Sequence, residues 1–328
     1  MAIVDTTSAS NRETGSQRHV LVTGGAGFIG SHLVEDLIEA GDRVTVLDNL
    51  STGSLKNLAS VSAHPSFTFV KGDAVEPLAP QLDGTVPTHI IHLAAQVSVI
   101  ASIADPKRDL DQNLASTLQI IAFGQAAGVQ RIVFASSAAV YGDGPQPSEE
   151  GLVPLPASPY GIHKLASEHH LRCASLIAQV PTTSLRFFNV YGPRQVPKSS
   201  YAGVISIFLA SALAGEPLKV FGEGVATRDF VYVNDLVRAI GLALTAGPGR
   251  GDVFNVGTGR SISVRELAET AVAVTRSASP IEARPARPGE ALHSRADVTR
   301  IASVLGWRAT TPLSDGLAAT ASWLASSV

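Results

Sequence analysis

From residue 18 onward the chain alternates two hydrophobic patterns. Short, nearly unbroken apolar runs recur: "RHVLVTG", "RVTVLD", "FTFVKGD", "HIIHLAA", "RIVFASS" and "TTSLRFFNV". Such runs fit strands buried on both faces rather than strands with one wet face. Between them lie stretches at helical spacing. "FIGSHLVEDLIEAG" is amphipathic and ends at Gly41, a residue suited to a helix C-terminus. A longer helix is predicted around "DLDQNLASTLQIIAFGQAAG". Strands alternating with helices predict an α/β fold with a doubly wound parallel sheet.

The pattern loosens after about residue 188, where "YGPRQVPKSSYAG" is rich in Pro, Gly and Ser. "RDFVYVNDLVRAIGLAL" again reads as strand then helix, and "GDVFNVG" as another strand. "SPIEARPARPGEALHSRAD" suits a loop over a ligand better than a sheet. The expected organisation is a disordered tail over 1–17 and a nucleotide-binding domain over 18–187. Residues 188–328 form mainly a smaller substrate lobe, and elements at about 229–257 return to the first domain.

Composition narrows the function. Hydrophobic residues make up 45% and charged residues 16%, as in a globular chain. The net charge of −3, without a basic block, gives no general pull toward nucleic acid or a membrane surface. The polar start lacks a signal-peptide core and no run is long enough to span a bilayer, so a cytoplasmic protein is expected. The one cysteine, Cys173, sits in an apolar stretch and reads as a packed thiol. The nine histidines show no ligand spacing, so no metal is expected.

The first strand runs into "VTGGAGFIGSH". Gly24, Gly27 and Gly30 there permit a tight turn, close approach of a pyrophosphate, and close helix–strand packing. The helix N-terminus beyond them favours an anion. Together these predict a Rossmann-type dinucleotide site. Asp48, ending the second strand, is placed to accept ribose hydroxyls and to repel a 2′-phosphate, which favours NAD; the lesser alternative is that it merely caps the next turn. Asp73, after the third strand, is either an adenine acceptor or an ordinary turn residue. In "SPYGIHK", Tyr160 and Lys164 stand four apart and share a helix face. Alone, that pair reads first as a packing pair on a surface helix, with a phenol beside an ammonium as the alternative.

Taken together, "TGGAGFIG", "DNLSTG", "GDA", "HLAAQ", "SSAAVYG", "YGIHK", "RFFNVYGPRQ", "RDFVYVND" and "RPGE" resemble the extended short-chain dehydrogenase/reductase family. Within it they are most similar to the NAD-dependent sugar-nucleotide epimerases of the UDP-glucose 4-epimerase type. The resemblance covers nearly all of the chain from residue 18. It implies that Tyr160 is the acid/base, that Lys164 holds the nicotinamide ribose, and that Ser137, rather than Ser136, orients the reacting sugar oxygen. The ammonium and the positive nicotinamide would together lower the phenol pKa. Further implied cofactor contacts are Phe28 and Ile29 in the glycine turn, then Asn49, Ser51, Thr52 and Gly53 after Asp48. Ala74 follows Asp73, and Leu93, Ala94, Ala95 and Gln96 follow the fourth strand. Phe187 and Val190 lie beside the nicotinamide; of the pair Phe187–Phe188, only one need touch it. Asn113 would support the fourth-strand loop.

The second lobe resembles one that grips a nucleoside diphosphate sugar. Arg228 and Arg287 suit the diphosphate, Asn189 adds a donor, Phe221 faces the uracil, and Glu290 the nucleotide ribose. Ser98, Gln195, Val204 and Ser294 complete the implied substrate contacts, Gln195 by bonding an acetamide. Ser294 replaces the bulky residue of glucose-restricted members, and Ala138 and Gly203 also leave room. UDP-GlcNAc/UDP-GalNAc therefore stands beside UDP-glucose/UDP-galactose. Ala138 and Ala139 occupy the place of the dehydratases' Asp–Glu pair and supply no proton. The resemblance thus implies a 4-epimerase working through a 4-keto sugar with tightly held NAD, as a homodimer built on the long helix and the Tyr160 helix. UDP-glucuronate 4-epimerisation, a net NAD-dependent oxidoreductase, and a non-catalytic NAD-sensing scaffold are the other readings.

Overall fold

Residues 17–197, 203–286 and 292–326 are described in the computed structural model. The first elements are β1 (His19–Thr23), α1 (Phe28–Glu39), β2 (Arg43–Asp48), β3 (Phe67–Lys71), a short α2 (Leu78–Gln81) and β4 (His89–His92). Helices α3 (Val99–Ala104), α4 (Pro106–Leu110) and α5 (Ser116–Ala127) follow, the last two joined by a π-helical turn at Asp111–Ala115. Next come β5 (Arg131–Ser137), α6 (Pro159–Ile177), β6 (Thr182–Phe187), β7 (Asn189–Tyr191), α7 (Val204–Leu213), β8 (Leu218–Phe221), β9 (Thr227–Arg228) and β10 (Phe230–Tyr232). The chain closes with α8 (Val233–Thr245), β11 (Arg250–Val256), β12 (Ile262–Ser263), α9 (Val264–Thr275), β13 (Ile281–Arg284), α10 (Thr299–Leu305) and α11 (Leu313–Ser326).

The unbroken apolar runs form one seven-stranded sheet in the order β11-β6-β5-β4-β1-β2-β3, parallel throughout. Alternate residues of each run fill opposite faces. Val20, Val22, Val44 and Val46 pack with Leu33 and Leu37 of α1 and Leu236 and Ile240 of α8. Leu21, Leu47, Ile90 and Ile132 pack on the other side with Ile120 of α5 and Leu171 of α6. Strand order reverses between β1 and β4, which opens a crevice at their carboxyl ends. A second core, including Phe208, Leu218, Leu267 and Leu317, holds α7, α9, α11 and β8 together.

Three expectations need correction. The sixth apolar run is not one strand: Phe188 N donates to Val256 O, then Asn189 N to Asp229 O, so the chain changes partner there and β7 pairs with β10. Residues 281–284, read as loop, form β13 because they lie parallel to β8, whose exposed backbone edge they satisfy. Cys173 is exposed, since α6 turns Leu171 and Ala174 inward and leaves Cys173 outside.

The core also holds histidines in the neutral form. Burial, then the nearby Arg18, lowers His89 to about 4. Burial, then Lys164, lowers His92 to about 3, and its Nδ1 lies 2.7 Å from Thr23 Oγ1. The unfolded chain binds these protons near pH 6.5 and the folded protein does not, so stability falls as pH drops below that value. His92 contributes up to about 1.4 kcal/mol of loss per pH unit on the way down. Urea unfolding from pH 7 to pH 4.5 should show that fall, and His92→Asn should flatten it while lowering stability at pH 7.

Candidate active site

The glycine turn is shaped by backbone contact across the crevice. Gly24 has φ +73°, and a Cβ there would lie 2.7 Å from Ala94 N. A Cβ on Gly30 would collide with the Gly24 carbonyl. Gly27 caps α1 without a side chain, and the first turn of α1 carries no acid. Its amides therefore face the crevice without a competing carboxylate, a cradle that fits a pyrophosphate. Phe28 and Ile29 begin α1 beside it.

Asp48 holds this turn in place. Its Oδ2 accepts from Ala26 N at 2.9 Å and its Oδ1 from Leu50 N at 2.8 Å. Each oxygen keeps a lone pair for a ribose hydroxyl. Asn49 Nδ2 donates to Asp73 Oδ2 at 2.9 Å, and Asn49 Oδ1 accepts from Ser51 N. Thr52 is exposed, and Gly53 packs so close to Ala26 that a Cβ would lie 2.9 Å from it. Ala74 is buried behind Asp73. Across the crevice, Leu93 and Ala94 donate their amides to Thr23, and Ala95 follows them. Phe187 ends β6 in register with Ser137, while Phe188 is buried. Val190 is half-buried, and its carbonyl accepts from Gln195.

Ser158 caps α6 by accepting from Gly161 N, and Pro159 opens its first turn. That start puts Tyr160 and Lys164 on the buried face. The two adjacent serines separate cleanly. Ser136 is buried and donates to Glu168, which also grips Arg186 through Nε–Oε1 at 2.9 Å and Nη2–Oε2 at 2.6 Å. Ser137 stands at the strand end, where its Oγ accepts from Ala139 N and lies near enough to the Tyr160 phenol to favour its ionised form. Lys164 Nζ donates to Ala135 O at 2.8 Å and lies 5.9 Å from the centroid of the Tyr160 ring.

The expected lowering of the phenol therefore needs correction for the protein alone. Burial pushes Tyr160 up to about 12, against the influence of the Ser137 hydroxyl and with Asp109 adding to the rise. Burial pushes Lys164 down to about 7, although Asp109 and Glu168 both hold it up. In a water-free site each group resists its charge, and a phenolate there depends on positive charge brought by a ligand.

Sequence reading missed the hub beneath this pair. Asp109 is 1% exposed. Its Oδ1 accepts from Gln96 Nε2 at 2.7 Å and Asn113 Nδ2 at 2.9 Å, and its Oδ2 lies 2.6 Å from His163 Nδ1. Asn113 Nδ2 also donates to Gln96 O. No local pattern relates Asp109 to His163, 54 residues away.

At the far end, Thr227 O accepts from Arg228 Nη1 at 2.9 Å and from Ser294 N at 3.1 Å, which brings these two candidates together. Phe221 ends β8 in register with Arg284. Gln195 Oε1 is buried without a hydrogen-bond partner, and a Cβ on Gly203 would lie 3.0 Å from its Nε2. Val204 begins α7 just beyond, and Asn189 is exposed on β7. Ser98 is turned to a local task, capping α3 at Ala101 N. Arg287 and Glu290 lie outside the described residues, as do residues 1–16 of the expected tail. Among the described residues no group of three His, Cys, Asp or Glu is placed to hold a metal.

Residues 20–257 match the model of the "NAD dependent epimerase/dehydratase family". The UDP-glucose 4-epimerase of Mycolicibacterium smegmatis is 42% identical over 304 residues, covering 92% of this chain and 96% of its own. The UDP-N-acetylglucosamine 4-epimerase of Methanobrevibacter ruminantium, solved with UDP-N-acetylmuramic acid, superposes with a TM-score of 0.90 at 34% identity, covering 95% of this chain and 99% of its own. The Thermus thermophilus UDP-glucose 4-epimerase, solved with NAD, gives a TM-score of 0.86 at 36% identity, covering 94% of this chain and 100% of its own.

The glycine cradle yields a direct test. Gly30→Ala places a methyl against backbone that cannot step aside, so it should cost about 1–3 kcal/mol in urea unfolding and abolish retention of dinucleotide on purification.

Proposed function

The chain belongs to the NAD dependent epimerase/dehydratase family, and we propose that it interconverts the C4 epimers of a UDP-hexose. UDP-glucose/UDP-galactose and UDP-GlcNAc/UDP-GalNAc are the two candidate pairs. The observation that carries this reading is Tyr160 and Lys164 on the same buried face of α6, with Ser137 at the end of β5 and the dinucleotide cradle in the crevice. The half-buried Ala138 and Ala139 follow Ser137 where a dehydratase needs an acid and a base.

Bound NAD supplies the acceptor, and later the donor, of the C4 hydride. The chain's own residues handle the proton and the geometry. Ser137 holds the O4 hydroxyl, and Tyr160 takes its proton as C4 becomes a ketone. The same phenol returns the proton to O4 after the sugar presents its other face. Lys164, which donates to Ala135 O, has further N–H groups for the nicotinamide ribose and a charge that steadies the phenolate. Asp48 keeps lone pairs for the adenosine ribose, which favours NAD over its 2′-phosphorylated form. Arg228 is the diphosphate ligand in this reading, with Ser294 beside it.

Room for an acetamide is part of the proposal. The unpartnered Oε1 of Gln195 fits an N-acetyl N–H, and Ser294 keeps the wall small. We also place the protein as a homodimer in the cytoplasm. α5 and α6 expose Leu118 and Ile162, apolar residues that a four-helix contact would cover. Among the described residues no helix is long and apolar enough to cross a membrane.

NMR of the purified protein with UDP-glucose or UDP-GlcNAc, without added NAD, should show the C4 epimer forming. Absence of a new epimer after NAD is supplied would sink the reading. Tyr160→Phe should lower kcat at least a hundredfold. Ser294→Tyr should depress turnover of the N-acetyl pair selectively; equal loss on both pairs would refute the size argument. Leu118→Glu combined with Ile162→Asp should move the protein from dimer to monomer in light scattering.

A further inference from the structure

Catalysis in a dry pocket needs Lys164 to keep its proton, and burial works against that. Lys164 is only 2% exposed, and its ammonium faces a carbonyl and an aromatic ring rather than a paired carboxylate. Besides Glu168 on its own helix, the buried carboxylate nearby is on α4, a helix packed against α6, and is bonded to His163, the residue next to Lys164. Asp109, on α4, is buried, and no Lys or Arg among the described residues pairs with it; its ionisable hydrogen-bond partner is the half-buried ring of His163. Its three hydrogen bonds reach the loop after β4 (Gln96), the π-helical turn (Asn113) and α6 (His163).

We propose that Asp109 is a positioning residue of the reaction: its buried carboxylate fastens the cofactor-side loop to the catalytic helix and supplies the negative charge that keeps Lys164 an ammonium. This rests on the Tyr160–Lys164 reading above. The surroundings limit what else sets these charges. On α6 the buried or half-buried titratable groups are Tyr160, His163, Lys164 and Glu168, while His169, His170, Arg172 and Cys173 are exposed; Glu168 is bound to Arg186. On β4 the facing group is His92, held neutral. On α4 itself Lys107 pairs at the surface with Asp111, and Arg108 is exposed. Asp109 acts on both reacting groups in one direction, raising Lys164 and Tyr160 together. It thus favours the ammonium at some cost to the phenolate.

The test removes the charge and keeps the shape. In Asp109→Asn the amide oxygen still accepts from Gln96 and Asn113, and the amide nitrogen can face a His163 ring nitrogen turned acceptor. His163→Lys neutralises Asp109 by a second route, at a position with access to solvent. In both, the acid limb (Tyr160) and the alkaline limb (Lys164) of the kcat/KM–pH curve should move to lower pH, by about one unit. Gln96→Leu removes the loop tie without touching the charge; it should lower the rate and leave both limbs in place. NMR of 13C-tyrosine protein loaded with NAD, with Tyr160 identified through Tyr160→Phe, reads the same shift without turnover. It therefore stands even if neither sugar pair proves to be the substrate. Unmoved limbs and an unmoved Tyr160 midpoint in folded Asp109→Asn or His163→Lys would overturn the proposal.

Discussion

Exclusion of water around α6 governs the rest of this site. A phenol, an ammonium and two carboxylates, those of Tyr160, Lys164, Asp109 and Glu168, are each buried on α6 or against it. Every charge there must be matched by another charge or by oriented dipoles. Glu168 is matched by Arg186 and Ser136, Lys164 by a carbonyl at close range, and Asp109 by three donors. The strand ends, the π-helical turn and the start of α6 meet because each brings one of these partners.

Order at the cofactor end comes from contact rather than charge. Gly24 and Ala94 touch backbone to backbone where the strand order reverses, and Gly30 brings α1 against the turn. Side chains are absent there because there is no space for them, and no acid stands in the first turn of α1. One end of the crevice is thus built to receive negative charge. The other, around Tyr160, resists a phenolate until positive charge arrives. The two properties are complementary in a reaction that needs a dinucleotide before it needs a base.

The sheet was legible because burial on both faces leaves apolar runs that few other structures share; β1, β2, β4 and β5 fall within the predicted runs. The second lobe was less so. β13 is four residues between prolines, with Glu282 and Arg284 in it, and only its pairing with β8 makes it a strand. Within the site, glycine spacing and the Tyr–Lys pair are local patterns and can be read. The division of labour between Ser136 and Ser137 is not local, since it depends on Glu168 across the fold. Nor is the Asp109 hub, whose members come from four separate segments.

Asp48 carries a consequence for how such a protein can change. Its two oxygens fasten the glycine turn, through Ala26 and Leu50, and in the proposed reading also receive the adenosine ribose. A lineage drifting toward the phosphorylated dinucleotide would have to surrender this carboxylate, and with it the acceptors of two backbone amides. Cofactor choice and local architecture are therefore inherited as one character. The change requires a rebuilt turn, not a single exchange of charge.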